Sequence, residues 1–113
     1  MLQLTAHHKV HLAVAPVDFR NGISGLIALS QQCFTTSPFS GHVFVFRNRR
    51  GNAVKLLFYQ RNGFWLCQKR FSSGSLAWWP RTLEQVKHLT GLHVQILLEQ
   101  GQPQTLHLPP AWL

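Results

Sequence analysis

Residues 42–71 constrain the fold more than any other stretch. Three runs, His42 to Phe46, Ala53 to Tyr59 and Phe64 to Phe71, are dense in Val, Leu, Phe and other aromatics, which suit a pleated, half-buried surface. Turn chemistry separates them. The first gap, Asn48-Arg49-Arg50-Gly51-Asn52, is a turn whose type the residues leave open. The second contains Asn62-Gly63, the strongest short hairpin signal because both residues tolerate positive φ. The predicted unit is a small antiparallel β-meander. Apolar residues fall on both faces of the runs, so the sheet is either covered on both sides or curled into a partial barrel.

The flanking segments make the class α+β. His8 to Val14 reads as a short strand stopped by Pro16. Asp18 is the predicted N-cap of a helix carrying Ile23, Leu26, Ile27 and Phe34 at near-helical spacing. Gly22 and Gly25 weaken that helix by about 1 kcal/mol each relative to Ala, so they are expected to serve close packing. Thr35 to Gly41 is a loop, and LAWWP (Leu76 to Pro80) reads as a short strand. Between Gln85 and Gln100, VKHL alternates, while LHVQILLEQ fits a strand or a short C-terminal helix after Thr90, ended by Gly101. With 113 residues the chain suits one domain spanning 1–113. Its ordered core is expected at about 8–100, and a Pro-rich tail at 101–113.

Charge is the second constraint. No acidic residue lies between Phe19 and Leu83, and seven of the eleven Lys/Arg fall between Arg47 and Arg70. With a formal net charge of +8, a rigid basic sheet matches a polyanion better than it matches a need for solubility alone. If Asn62-Gly63 is the two-residue turn, Arg61 faces Phe64 and Lys55 stands opposite Arg70. Like charges so placed are destabilising unless an anion bridges them. Arginine suits phosphate because its planar fork donates two hydrogen bonds at once. The expected nucleic-acid contacts are Arg47, Arg49, Arg50, Lys55, Lys69 and Arg70, with Arg20, Arg61 and Arg81 as further contacts. Such contacts address backbone phosphates more than base edges.

Other chemistry is thinly supported. His7, His8 and His11 form an H-H-x-x-H cluster, but it abuts a strand pattern with no carboxylate or cysteine nearby, so no metal is expected. Asp18 and Arg20 read as a cap with a local ion pair. Glu84 and Glu99 are isolated, and Ser72, Ser73 and Ser75 lack a G-x-S-x-G context. No phosphate-binding glycine loop or zinc-finger spacing is present. The expectation is therefore no catalytic residue, no cofactor, no small-molecule substrate and no enzyme activity. Cys33 and Cys67 lie far apart, and Cys67 sits in an apolar run that suits a buried thiol. No signal-like segment or run near 18 apolar residues occurs, which points to a reduced, cytoplasmic protein without a membrane partner. Trp65, Trp78, Trp79 and Trp112 read as core or interface, although Trp78 near Arg81 leaves base stacking open.

Four pieces carry a family resemblance: VHLAVAPVDFRNGISGLIAL (Val10 to Leu29), PFSGHVFVFRNRRGNAVKLL (Pro38 to Leu57), NGFWLCQKRF (Asn62 to Phe71) and Trp79-Pro80. The combination D-x-R-x-G-x-x-G-L, then F-S-G-x-x-F-V-F and R-R, is quite specific. From Val10 to Glu99 the chain resembles the small TnpB-type accessory proteins of the insertion sequence 66 family of bacterial transposable elements. These differ from the RNA-guided nucleases that share the TnpB label.

The resemblance implies a non-catalytic protein encoded beside a transposase and needed for efficient movement of the element. On its pattern, Arg20 and the set Arg49, Arg50, Lys55, Lys69, Arg70 fall on recurrent basic positions, and Gly91 to Glu99 is a helix. Where relatives often place an Asp before the Asn-Gly turn, this chain has Tyr59-Gln60-Arg61. The pattern degrades after Arg81, which leaves the domain end open and fits a domesticated or degenerate copy as well as a working one. The expected partner is DNA. A different class of partner is the transposase or another element-encoded protein, docked on an aromatic surface of Phe58, Trp65, Trp78 and Trp79. Binding to the element's own mRNA is a third reading.

Overall fold

The computed structural model describes residues 3–103; the expected tail from 104 onward, with Trp112, lies outside the described residues. The three β-prone runs form an antiparallel meander as expected: β2 (Val43–Arg47), β3 (Ala53–Gln60) and β4 (Gly63–Arg70). The N-terminal strand is shorter than read, Val10–Leu12 (β1), and it pairs parallel to β2. The sheet is therefore mixed, with order β1-β2-β3-β4. Parallel neighbours need a long crossover, and helix α1 (Ile23–Cys33) supplies it. Two further helices follow the sheet, α2 (Leu83–Lys87), which the sequence did not suggest, and α3 (Gly91–Leu98).

Of the two alternatives for the doubly apolar strands, the structure takes the covered sheet; it does not close into a barrel. Alternation along the strands sorts two cores. Val43, Val45, Val54 and Leu56 join Leu89, Val94, Leu97 and Leu98 on one face. Phe44, Phe46 and Leu57 pack with Leu26 of α1 on the other.

Four local readings are corrected. The hairpin turn is Arg61-Asn62, flanked by the pair Gln60 and Gly63, with Arg61 at φ 59°. Lys55 consequently faces Gln68, and Arg70 faces Ala53. Both registers send the same residues to each face, so apolar patterning could not separate them. The observed one avoids opposing Lys55 and Arg70 and pairs Phe58 with Trp65 and Tyr59 with Phe64, the cross-strand contacts that stabilise sheets.

Asp18 is not a helix cap. The N-cap is Gly22, without a side-chain hydrogen bond, because the Asp18 carboxylate is occupied by Arg20 and the carbonyls of Phe19 and Asn21 turn to Lys55. Gly22 and Gly25 do not admit a neighbouring element either: nothing lies near Gly22, and Gly25 meets only Asn21 of its own helix entry. LAWWP is irregular rather than a strand; the Trp79 indole donates to the Ala13 carbonyl oxygen (2.9 Å) and fixes the segment beside β1.

Candidate nucleic-acid interface

The β2–β3 turn is built by one side chain. Asn48 Oδ1 accepts from the amides of Asn52 (3.1 Å) and Ala53 (3.2 Å), and its Nδ2 donates to Asn52 Oδ1 (2.6 Å). Gly51 takes the positive φ of 68° that closes the turn. Its carbonyl accepts from Leu76 N (2.8 Å), which ties the turn to the segment before the tryptophans. Arg49 and Arg50 are thus held exposed at a braced tip.

Two further segments converge there. A cleft of about 550 Å³ is lined by Pro16 to Arg20, by Asn48 to Arg50 and by Arg70. It gathers four guanidinium groups, Arg20, Arg49, Arg50 and Arg70, against a single carboxylate, Asp18. That carboxylate is already engaged: Arg20 reaches it through Nε (2.9 Å) and Nη2 (2.6 Å), and these hydrogen bonds hold its pKa at about 2. Arg20 keeps 91 % of its side-chain surface exposed, so the pairing orients the guanidinium without withdrawing it from solvent.

Arg47, at the base of the turn, lies beside Arg81. Together with Trp78 and Trp79 they line a second cleft of about 480 Å³. A narrower groove of about 230 Å³, lined by Arg47, Arg49, Arg50, Trp78 and Trp79 among others, joins this cleft to the turn. The Arg47 guanidinium lies 6.0 Å from the Trp79 ring centroid, a cation–π distance.

The remaining sites expected from the sequence lie elsewhere. Lys55 is only 5 % exposed, and its Nζ donates to Phe19 O (2.8 Å) and Asn21 O (2.9 Å). Burial lowers its pKa, with Asp18 opposing the shift. It is not at the surface to meet a phosphate. Lys69, on the other face of β4 from Arg70, donates to Leu98 O (2.8 Å) at the C-terminal end of α3, where a cation satisfies helix carbonyls. Arg61 sits in the β3–β4 turn, at the opposite end of the sheet. The aromatic residues divide likewise. Phe58 and Trp65 pair near the β3–β4 turn, whereas Trp78 and Trp79 line the Arg47 cleft.

Residues 8–107 match the family model for IS66 Orf2-like proteins, TnpB_IS66. The chain belongs to the IS66 Orf2-like family. The match continues well past Arg81, where the motif pattern fades. Two curated relatives from Sinorhizobium fredii (strain NBRC 101917 / NGR234) are themselves named as uncharacterized proteins. With y4jC the identity is 33 % over 72 residues, covering 64 % of this chain and 62 % of the relative. With y4hO it is 31 % over 78 residues, covering 69 % and 68 %. The alignment thus spans less than two thirds of the length of y4jC. No solved structure matches the chain.

Family membership associates this IS66 Orf2-like protein with transposition of an insertion sequence. Two features of its architecture had no sequence signal. Lys55 anchors the carbonyls on either side of Arg20, so a lysine on β3 positions an arginine on the preceding loop. His11 and His42 stack with ring centroids 5.1 Å apart and share a 2.8 Å contact between Nε2 and Nδ1. Burial, and then His42, lower the His11 pKa. The two meet because β1 and β2 are parallel neighbours, a pairing invisible to local patterning. Among the described residues no three His, Cys, Asp or Glu side chains gather into a metal-binding group, and no helix is long and apolar enough to cross a membrane.

Proposed function

We propose that this protein is a non-catalytic accessory factor of insertion-sequence transposition that binds DNA through backbone phosphates. One observation carries the reading. Arg20, Arg49, Arg50 and Arg70 arrive from three separate segments to line one cleft, with a single carboxylate among them. Bidentate arginines facing outward at a rigid turn suit phosphate oxygens. Arg47 and Arg81 line the neighbouring cleft, whereas Lys55 supports the Arg20 segment from behind through its backbone carbonyls.

The test is a salt titration of binding to a duplex from the element's end and to a scrambled duplex. Four phosphate contacts give a slope of log K against log salt of roughly −4. The Arg49→Ala/Arg50→Ala double mutant is expected to lower its magnitude by about 2. Absence of binding at about 50 mM salt, where phosphate contacts are strongest, refutes the reading. In that event docking on the transposase becomes the leading alternative. It draws support from Phe39 and Trp65, 55 % and 56 % exposed, near the end of the sheet opposite the arginine cleft. Phe39 packs edge-on against Tyr59 and Phe64 there.

A further inference from the structure

The Trp78–Trp79 cleft is not explained by phosphate binding to a duplex. Both tryptophans are half-buried and pack against the core with one part of their surface, yet both line the 480 Å³ cleft beside Arg47 and Arg81. Trp79 is fixed in place through its indole nitrogen, so it offers a rigid wall. Arg47 adds a second observation. Its Nε is buried and has no hydrogen-bond partner among the described residues, while Nη1 makes only a long 3.4 Å contact to Asn48 O. A buried donor without an acceptor is costly, and the residue that carries it lines both the cleft and the adjoining groove, where its positive charge would favour a keto oxygen of a base or a phosphate oxygen. The connecting groove then leads directly to Arg49 and Arg50.

Aromatic walls beside a cationic track are the combination that binds single strands, because every base has a π-face to stack. A paired duplex keeps its bases stacked inside and cannot offer one to a recessed cleft. We infer that the Trp78–Trp79–Arg47 cleft is a nucleobase subsite, and that the preferred ligand is unpaired DNA whose adjoining phosphates lie on Arg49 and Arg50. The inference rests on the phosphate reading above and names its substrate class.

The experiment compares fluorescence anisotropy of labelled oligo(dT), a duplex of the same length and oligo(rU) at one salt concentration. In parallel, oligo(dT) carrying photoreactive 5-iododeoxyuridine is crosslinked to the wild-type protein, and tryptic peptides are mapped by mass spectrometry. Oligo(dT) is expected to bind more tightly than the duplex and to crosslink to the peptide Phe71 to Arg81, which holds both tryptophans. Trp78→Leu is expected to weaken oligo(dT) binding by roughly 5- to 150-fold, the effect of losing one base stack, and to leave duplex binding unchanged. Should that variant fail to fold, the wild-type crosslink decides. Duplex binding equal to or tighter than oligo(dT), or crosslinks confined to other peptides, overturns the base subsite and leaves the phosphate reading intact. Tighter binding of oligo(rU) overturns the assignment to DNA. Failure of every nucleic acid to bind overturns both proposals.

Discussion

Lys55 shows how one residue can carry a correct physical signal and a wrong location. A lysine among β-branched and aromatic neighbours, in a chain almost free of acids, reads as part of a basic face. Its position on β3 points it beneath the loop that precedes α1, where it serves two carbonyl oxygens and lies 4.8 Å from the Phe19 ring centroid. Lys55→Met would preserve most of the packed stem but leave both carbonyls unsatisfied. Hydrogen bonds to a charged donor contribute about 1.5–3 kcal/mol each, so with two lost the variant is expected to lose about 3–6 kcal/mol. Urea unfolding checks this through a lower midpoint at unchanged slope. Arginines 49 and 50 were legible because a turn flanked by two asparagines leaves them nowhere to be buried. Arg47 and Lys69 were not, since their partners, Trp79 and Leu98, come from segments distant in sequence.

At the scale of elements, the strands were readable and their pairing was not. Alternation identifies a strand and its faces, but a two-residue change of register preserves both, so only cross-strand chemistry chose between Gln68 and Arg70 as the neighbour of Lys55. Helix α3 depends on a cap made partly by histidine. His93 Nδ1 accepts from Thr90 N (2.8 Å), and the residue is 8 % exposed. Burial lowers its pKa below the usual 6.5, so the unfolded chain binds the proton more readily. The stability that His93 contributes is therefore present above about pH 6.5 and is lost as pH falls below it, when protonation also removes the acceptor. His93→Gln supplies the other residue that completes a capping box. Thermal melts at pH 5 and pH 8 are expected to differ less for His93→Gln than for wild type; an equal difference would mean that the cap does not titrate.

At the scale of the whole molecule, the sheet separates the arginine cleft from the β3–β4 turn. The eight residues of β3 span roughly 25 Å, well beyond the screening length of about 8–10 Å at physiological salt. Arg61 at the far turn should therefore contribute little to binding at the arginine cleft. Arg61→Ala is expected to leave the salt slope within experimental error of wild type, while Arg49→Ala/Arg50→Ala reduces it; a comparable loss from Arg61→Ala would require a contact surface running the full length of the sheet. By itself the sequence determined the α+β class, the meander, the basic character and the family motifs, because these follow from local periodicity, turn chemistry and composition; for the segment after Thr90 it left strand and helix open, and only the family resemblance favoured the helix. Tertiary structure alone decided that β1 runs parallel to β2, that Lys55 is buried while Arg20 joins the cleft, and that Trp78 and Trp79 come to lie beside Arg47. Those outcomes depend on which distant carbonyls, rings and charges satisfy one another, and no local pattern encodes that.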